Sequence, residues 1–160
     1  KVDIAAEVSL LTWQRFFDPA EPMFCDLAEV DGVVRGPVHS IDHRSCWLKD
    51  HSCYLQDLFV APEQRGLGLG RRLIEHVYAT AKARGCARVH WLTHETNTDA
   101  MKLYDRIADK PGFVQYRRQF RLQATGVRPW GPGAVGVDVD LRQDLRRQRI
   151  CPFTKPRHQA

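Results

Sequence analysis

Apolar residues recur along residues 1–120 with two different periods, and each period predicts a different kind of element. Spacings of three and four residues predict helices, because such residues share one helical face. The predicted helices cover 4–17, 68–84 and a short segment that begins at Asn97 or Thr98. Runs rich in β-branched and aromatic residues predict strands. The predicted strands cover 23–29, 33–41, 54–60, 89–93 and 113–120.

The order of these elements predicts the fold class and the domain organisation. A hairpin that turns at Asp31-Gly32 precedes alternating strands and helices, which indicates an α/β (α+β) fold with a mixed sheet. Gly36 and Pro37 interrupt the second strand, so we expect a sheet edge or a bulge there. We expect one domain over 1–122. Residues 123–160 form a Gly/Pro-rich basic tail, either flexible or with one further strand over 135–141.

A glycine-rich loop, Gln64 to Gly70, joins the third strand to the second helix. Glycines let an anion approach the free amides of a helix start, so this loop predicts a phosphate site. Arg71 and Arg72 follow in the first helical turn, where cations oppose the helix dipole unless an anion lies beside them. The loop lacks the Gly-Lys-Ser/Thr of an ATP-type P-loop and the acidic residue that a dinucleotide fold places about 20 residues on.

Composition narrows the classes of function. The chain has 160 residues with a net charge of +5, but residues 1–122 hold 17 Lys and Arg against 16 Asp and Glu. The excess of positive charge therefore lies in the tail, and we do not expect a nucleic-acid partner. No apolar run spans a membrane and no secretory leader is visible. The five cysteines have no regular spacing, so we expect reduced thiols in the cytoplasm.

The loop resembles the acetyl-CoA pyrophosphate loop of the GNAT N-acetyltransferase superfamily. Its Arg-x-x-Gly-x-Gly pattern uses Arg65, Gly68 and Gly70, and follows Leu-x-Val-x-Pro over 58–62. A second similar block covers 95–104, and the polyamine and yeast histone/polyamine branches are the most similar. The resemblance implies the acyl-CoA N-acyltransferase fold without its first strand and helix. It also allows a homodimer.

The resemblance implies acetyl-CoA as co-substrate, no metal, and a primary amine as acceptor: a polyamine, an amino acid, a small amine or a lysine side chain. Main-chain groups of Phe59 and Val60, together with Asn97, are expected to hold the pantetheine arm. Tyr104 is expected to protonate the leaving thiolate. The pyrophosphate is expected to lie against Arg65, Gly66, Gly68, Gly70 and Arg71.

The general base is where this chain departs from the polyamine branch. Gln56 stands where that branch has Glu, and an amide cannot accept a proton at neutral pH. Asp57 and Glu95 are the remaining carboxylates, and His94 follows a strand nearby. Strand alternation places Gln56 and Asp57 on opposite faces, so Asp57 does not simply replace the missing Glu. Asp57 is either a base or a buried structural carboxylate.

Three other interpretations follow from the same residues. Gln56 favours a domain that binds coenzyme A without turnover. The basic tail favours a module that associates with nucleic acid. A third interpretation is a zinc site in a region rich in metal-ligating side chains. These side chains are His39, His43, Cys46, His51 and Cys53.

Overall fold

The computed structural model describes residues 4–120 of the chain. Three helices and four strands follow one another in the predicted order. They are α1 (Ala6–Phe17), β1 (Met23–Val30), β2 (Val33–His43), β3 (His51–Leu58), α2 (Leu69–Ala83), β4 (Cys86–His90) and α3 (Thr98–Ile107). The tail over 123–160, with its predicted strand over 135–141, lies outside the described residues.

The four strands form one sheet in the order β1-β2-β3-β4. The first two neighbouring pairs are antiparallel and β3 pairs with β4 in parallel, so the predicted mixed sheet is confirmed. Helix α1 is the first element of the described residues. Asp31 and Gly32 both have positive φ angles, 52° and 74°, as a tight hairpin turn requires.

The interruption at Gly36-Pro37 is a bulge in a central strand and not a sheet edge. Ala28 lies opposite Gly36 and Glu29 lies opposite Val34, so Arg35 has no opposite residue on β1. Strand β2 has neighbours on both sides. The extra residue bends β2 where it approaches the end of β3.

The core lies between α2 and the sheet. Helix α2 buries one face at the predicted spacing, and Val77 and Ala81 on it are completely buried. Val38 on β2 and Leu55 on β3 lie beneath the helix and are also buried. Leu69 and Leu73, near the start of α2, are buried as well. Burial of each large side chain contributes about 1.5–3 kcal/mol to stability, so this face anchors the start of α2.

Helices α1 and α2 cover opposite faces of the sheet. On β1, Cys25 lies opposite His39 and Asp26 lies opposite Val38. The ring of Phe16 on α1 contacts His39, with 4.8 Å between centroids, whereas His76 on α2 pairs with Asp26 at 3.2 Å. Because neighbouring residues of a strand point to opposite faces, the two helices lie on the two sides.

The strand predicted over 113–120 is wrong for this structure, since residues 109–120 form neither helix nor strand. Phe113, Tyr116 and Phe120 are exposed there. Their pattern records β-propensity, but a strand also needs a hydrogen-bonded neighbour, and no strand of residues 4–120 pairs with this segment. The chain divides into two compact units between Leu103 and Tyr104, and the sheet with α1 and α2 belongs to the first.

Helix lengths bear on membrane insertion as well. Within residues 4–120, no helix combines the length and the apolar character that a bilayer crossing needs.

Candidate active site

The pairing between strands β3 and β4 ends near the middle of β3. Their parallel pairing begins at His51 opposite Cys86 and ends at Tyr54 opposite His90. Beyond Tyr54, β3 continues to Leu58 and pairs only with β2 among the described residues. Within residues 4–120, no strand therefore covers one edge of β3 at its carboxyl end, where sheets of this type bind ligands.

The main chain beyond β3 presents its amides alternately to β2 and to this uncovered edge. Phe59 N–H donates to Pro37 at 3.0 Å and Ala61 N–H donates to Arg35 at 2.8 Å. Alternation then turns the amides of Leu58 and Val60 toward the uncovered edge. The N–H of Phe59 is thus already engaged in the sheet, and Leu58 is a donor that the sequence analysis missed.

The glycine loop, which is the predicted anion site, follows directly after β3. Gly66 and Gly68 have φ angles of +76° and +83°, a left-handed conformation that other residues rarely adopt. No atom lies within 4 Å of a Cβ built on either of them, so the space beside this backbone is open. Gly68 caps α2, and Arg72 N–H donates to its carbonyl at 3.1 Å.

The loop also lies beside the uncovered strand edge. A Cβ on Gly70 would lie 3.7 Å from Val60 Cγ2 and 3.9 Å from Leu58 Cδ2. The free amides of the first turn of α2 therefore lie close to the outward amides at the end of β3. This is the arrangement needed by a ligand with a phosphate at one end and an amide-bearing arm at the other.

The cations around the loop have different partners. Arg71 Nε pairs with Glu75 at 2.7 Å, whereas Arg72 has no carboxylate partner within residues 4–120. Arg65 Nε donates to the carbonyl of Val60 at 3.2 Å, so its side chain ties the loop to the strand end. The i, i+4 spacing of Arg71 and Glu75 is a signal from which this pair could have been predicted.

The loop is held from β2 as well. The guanidinium of Arg35, the bulged residue, forms an ion pair with Glu63 in the short 3-10 turn before Arg65. This ion pair could not be predicted from the sequence, because the contact depends on the bulge in β2.

Glu95 and Asn97 follow β4, at the same end of the sheet as the glycine loop. Glu95 is exposed. The side-chain amide of Asn97 donates to Thr93 at 3.0 Å, and the main-chain carbonyl of Asn97 accepts from Met101 N–H at 3.0 Å, which starts α3 as predicted. His94 Nδ1 accepts from Thr96 N–H at 3.3 Å, which holds that imidazole against its own loop.

Tyr104 lies on α3, in the second compact unit. It is half-buried, and burial raises the pKa of its phenol above the usual value. The phenol therefore keeps its proton at neutral pH, as a proton donor must.

The expected alternation around Gln56 is wrong, because β3 carries a bulge there. His39 lies opposite Asp57 and Ser40 lies opposite Leu55, which leaves Gln56 as the extra residue. Gln56 and Asp57 are both exposed. The exposed fraction of the Asp57 side chain is 65%, which excludes the interpretation of a buried structural carboxylate.

The side chain that approaches Asp57 is His39, whose Nδ1 lies 3.3 Å from Asp57 Oδ2. This pair, a candidate for acid–base chemistry, was not predicted from the sequence.

The histidines and cysteines of residues 39–53 do not come together. His39 approaches Asp57, whereas His43 Nε2 lies 2.9 Å from His90 Nε2. Cys53 is buried near Arg84, and burial raises the pKa of its thiol to about 12. Among residues 4–120 no three His, Cys, Asp or Glu side chains are placed to hold a metal ion.

Comparison with known proteins identifies the family. The profile of the acetyltransferase (GNAT) family matches residues 3–108. The chain is 35% identical over 120 residues to the D-amino-acid N-acetyltransferase HPA3 of Saccharomyces cerevisiae, covering 74% of each chain. It is also 38% identical over 60 residues to the thialysine N-epsilon-acetyltransferase of Bos taurus, covering 38% of this chain and 35% of that relative.

Solved structures show the same fold. The aminoglycoside N-acetyltransferase AAC(6')-Iy in complex with CoA superposes with a TM-score of 0.60 at 19% identity, over 74% of this chain and 97% of that one. The chain therefore belongs to the acetyltransferase (GNAT) family and is an N-acetyltransferase.

Proposed function

We propose that this chain transfers the acetyl group of acetyl-CoA to a primary amine, by direct attack of the amine on the thioester in a ternary complex. The observation that carries the proposal is the uncovered edge of β3 beyond Tyr54, with the left-handed glycine loop directly beside it. The edge offers amides to a pantetheine arm, and the loop offers amides to a diphosphate.

The diphosphate would lie against Gly66, Gly68 and Gly70, where the helix start offers free amides. Arg71 would gain a second anionic partner besides Glu75, and Arg65 would turn from the carbonyl of Val60 toward the phosphates. The open space beside Gly66 and Gly68 fits a group of that size.

The thioester arm would lie along the uncovered edge. The amides of Leu58 and Val60 face that edge, and donors aimed at a carbonyl oxygen stabilise the negative charge that forms there during attack. The side chain of Asn97 adds a polar group expected along the arm, whereas the carbonyl of Phe59 faces Gly36 on β2. Holding both reactants in position supplies much of the rate.

The acceptor we propose is the amine of a small amino acid. Sequence relatives are named for D-amino acids, thialysine and L-ornithine, each of which carries a free amino group. Asp57 and Glu95 are exposed carboxylates at the carboxyl ends of β3 and β4, where they would attract an ammonium group.

The leaving thiolate needs a proton, and we assign its delivery to Tyr104. Its half-buried phenol is protonated at neutral pH. A thiolate formed beside it would take the phenol proton, which prevents the reverse attack on the new amide.

The test is the release of coenzyme A from acetyl-CoA with a panel of amines: D- and L-amino acids, thialysine, ornithine, spermidine and a lysine peptide. Calorimetry with coenzyme A measures binding separately. Release that depends on one class of amine supports the proposal. Binding without release under every amine would instead favour a domain that holds coenzyme A without turnover, and absence of binding would contradict both.

A further inference from the structure

The His39–Asp57 pair has the geometry of a base and its orienting carboxylate. His39 lies on β2 and Asp57 lies opposite it on β3, in the part of β3 that β4 leaves uncovered. The imidazole Nδ1 lies 3.3 Å from Asp57 Oδ2. The ring of Phe16 packs on the imidazole with 4.8 Å between centroids and an interplanar angle of 36°.

The carboxylate decides which ring nitrogen is the basic one. An ionised carboxylate only accepts hydrogen bonds, so the neutral imidazole carries its proton on Nδ1. Its Nε2 then has a lone pair available to accept a proton. The exposed fraction of the His39 side chain is 28%, so the imidazole reaches solvent on the face of the sheet that α1 covers in part.

The reaction needs such a group. An alkylammonium has a pKa of about 10.4 and must lose a proton before it attacks, whereas free carboxylates have a pKa near 4 and accept it poorly at neutral pH. Imidazole, with a free pKa of about 6.5, is matched to this transfer. Gln56 cannot serve, because an amide does not accept a proton at neutral pH.

We propose that His39 is the general base of the acetyl transfer and that Asp57 is the positioning residue that holds it. This inference rests on the proposed function and names the general base, for which Asp57, Glu95 and His94 were the candidates from the sequence.

His39 Nε2 takes one proton from the acceptor ammonium and passes it to bulk solvent. The neutral amine forms the C–N bond by adding to the thioester carbonyl, and the tetrahedral adduct loses a second N–H proton to solvent. The C–S bond of the adduct then breaks, the thiolate takes the phenol proton of Tyr104, and the tyrosinate regains a proton from solvent. The net products are the amide, coenzyme A as a thiol and one proton.

Within residues 4–120, few charged groups face His39. From β3 it faces Asp57, and from β1 the Cys25 thiol lies opposite it in the register. Burial and then the neighbouring Asp26 raise the pKa of Cys25 to about 11, so the thiol stays neutral. From α1 the contacting residue is the uncharged Phe16, while Arg15 is paired with Glu21.

The test compares the pH profile of kcat/KM for the full chain and for the variants His39→Gln, Asp57→Asn and His51→Gln. His51 lies at the opposite end of β3, so His51→Gln controls for loss of an imidazole from the same sheet. Coenzyme A affinity and thermal unfolding are measured for each variant. Added imidazole then tests for rescue of His39→Gln.

We expect His39→Gln to lower kcat/KM by roughly 10²–10⁴, to remove the loss of activity at low pH, and to recover in part with imidazole. Asp57→Asn should lower kcat about tenfold and keep the acid limb, since the exposed side chain leaves the fold intact. His51→Gln should match the wild type.

An unchanged profile in His39→Gln overturns the inference, and so does an acid limb that vanishes only in Asp57→Asn. A wild-type chain that binds coenzyme A but releases none with any amine fails earlier, at the proposed function, and overturns the inference with it.

Discussion

The carbonyl oxygen of Phe59 lies only 2.5 Å from the point where a Cβ on Gly36 would stand. Real Cβ atoms do not come so close to a backbone oxygen, so any larger residue at this position must move the chain. Leu73 Cδ1 would be 3.2 Å from the same point, which closes the other side. Gly36 thus lets the bulged β2 approach the end of β3, where the Phe59 N–H bonds to Pro37.

Replacement Gly36→Ala should therefore disturb the strand edge proposed to bind the thioester arm. We expect a loss of about 1–3 kcal/mol in the free energy of unfolding, as for other overpacked sites. Coenzyme A affinity, measured by calorimetry, should fall as well, because the amides of Leu58 and Val60 shift with the chain.

The matched control is Gly32→Ala, in the hairpin turn, where a Cβ would meet no atom within 4 Å but the φ angle of +74° causes strain. It should lower stability and leave coenzyme A affinity unchanged. Equal affinity in both variants would show that Gly36 serves stability alone.

The assignment of the glycine loop to a diphosphate can be tested by charge. Gly68→Asp places a carboxylate beside the proposed phosphates, and coenzyme A affinity should fall on the order of tenfold or more from like-charge repulsion. Gly68→Asn is its uncharged isostere and tolerates the left-handed backbone well. Calorimetry should find Gly68→Asn close to the wild type, and equal losses in the two variants would argue against an anion at this position.

The role of the Tyr104 hydroxyl can be tested separately from that of its aromatic ring. Tyr104→Phe should lower kcat by roughly 10²-fold with little change in KM, as expected for loss of a proton donor that acts at the transition state. Tyr116→Phe is the control, since the Tyr116 side chain is 92% exposed. Steady-state kinetics would count against the role if both variants kept the wild-type kcat.

The ion pair between Arg84 and Asp42 predicts a loss of stability in acid. Arg84 donates twice to Asp42, at 2.7 and 3.1 Å, and both side chains are mostly buried. Burial alone would raise the pKa of Asp42, but the hydrogen bond and charge of Arg84 outweigh it and lower the pKa below 3.8. Because the folded pKa is the lower one, the stabilisation is present above about pH 4 and is lost as pH falls through the folded pKa.

Asp42→Asn should cost about 1–3 kcal/mol in the free energy of unfolding at pH 7, because it leaves the guanidinium without its charged partner. Between pH 5 and pH 3 the variant should lose less stability than the wild type. Urea titrations at several pH values measure both quantities, and parallel pH curves would show that Asp42 does not contribute the acid sensitivity.

The parts of the fold that depend on local pattern were predictable. The buried face of α2 follows from the spacing of Leu69, Leu73 and Val77, and the hairpin follows from Asp31-Gly32. Each of these signals comes from residues that are close together in the sequence, where chain geometry leaves few alternative structures. The glycine loop before α2, with Gly66 and Gly68 at positive φ, was predictable for the same reason.

The parts that depend on register were not predictable. Alternation at Gln56 assumes a continuous strand, and the bulge breaks it. The approach of His39 to Asp57 joins residues on different strands, so it depends on that bulge and on the pairing of β2 with β3. The prediction of a strand over 113–120 was wrong, because strand propensity alone does not supply a neighbouring strand with which the segment could pair.

The end of β3 that β4 leaves bare has a consequence outside catalysis. Unsatisfied strand edges recruit other extended polypeptides, which is a common route to aggregation. A long, flexible ligand bound along the uncovered edge of β3 would shield that edge from other chains for as long as it stays bound. Preparations kept with coenzyme A should therefore stay monodisperse in light scattering at concentrations where the ligand-free protein begins to associate.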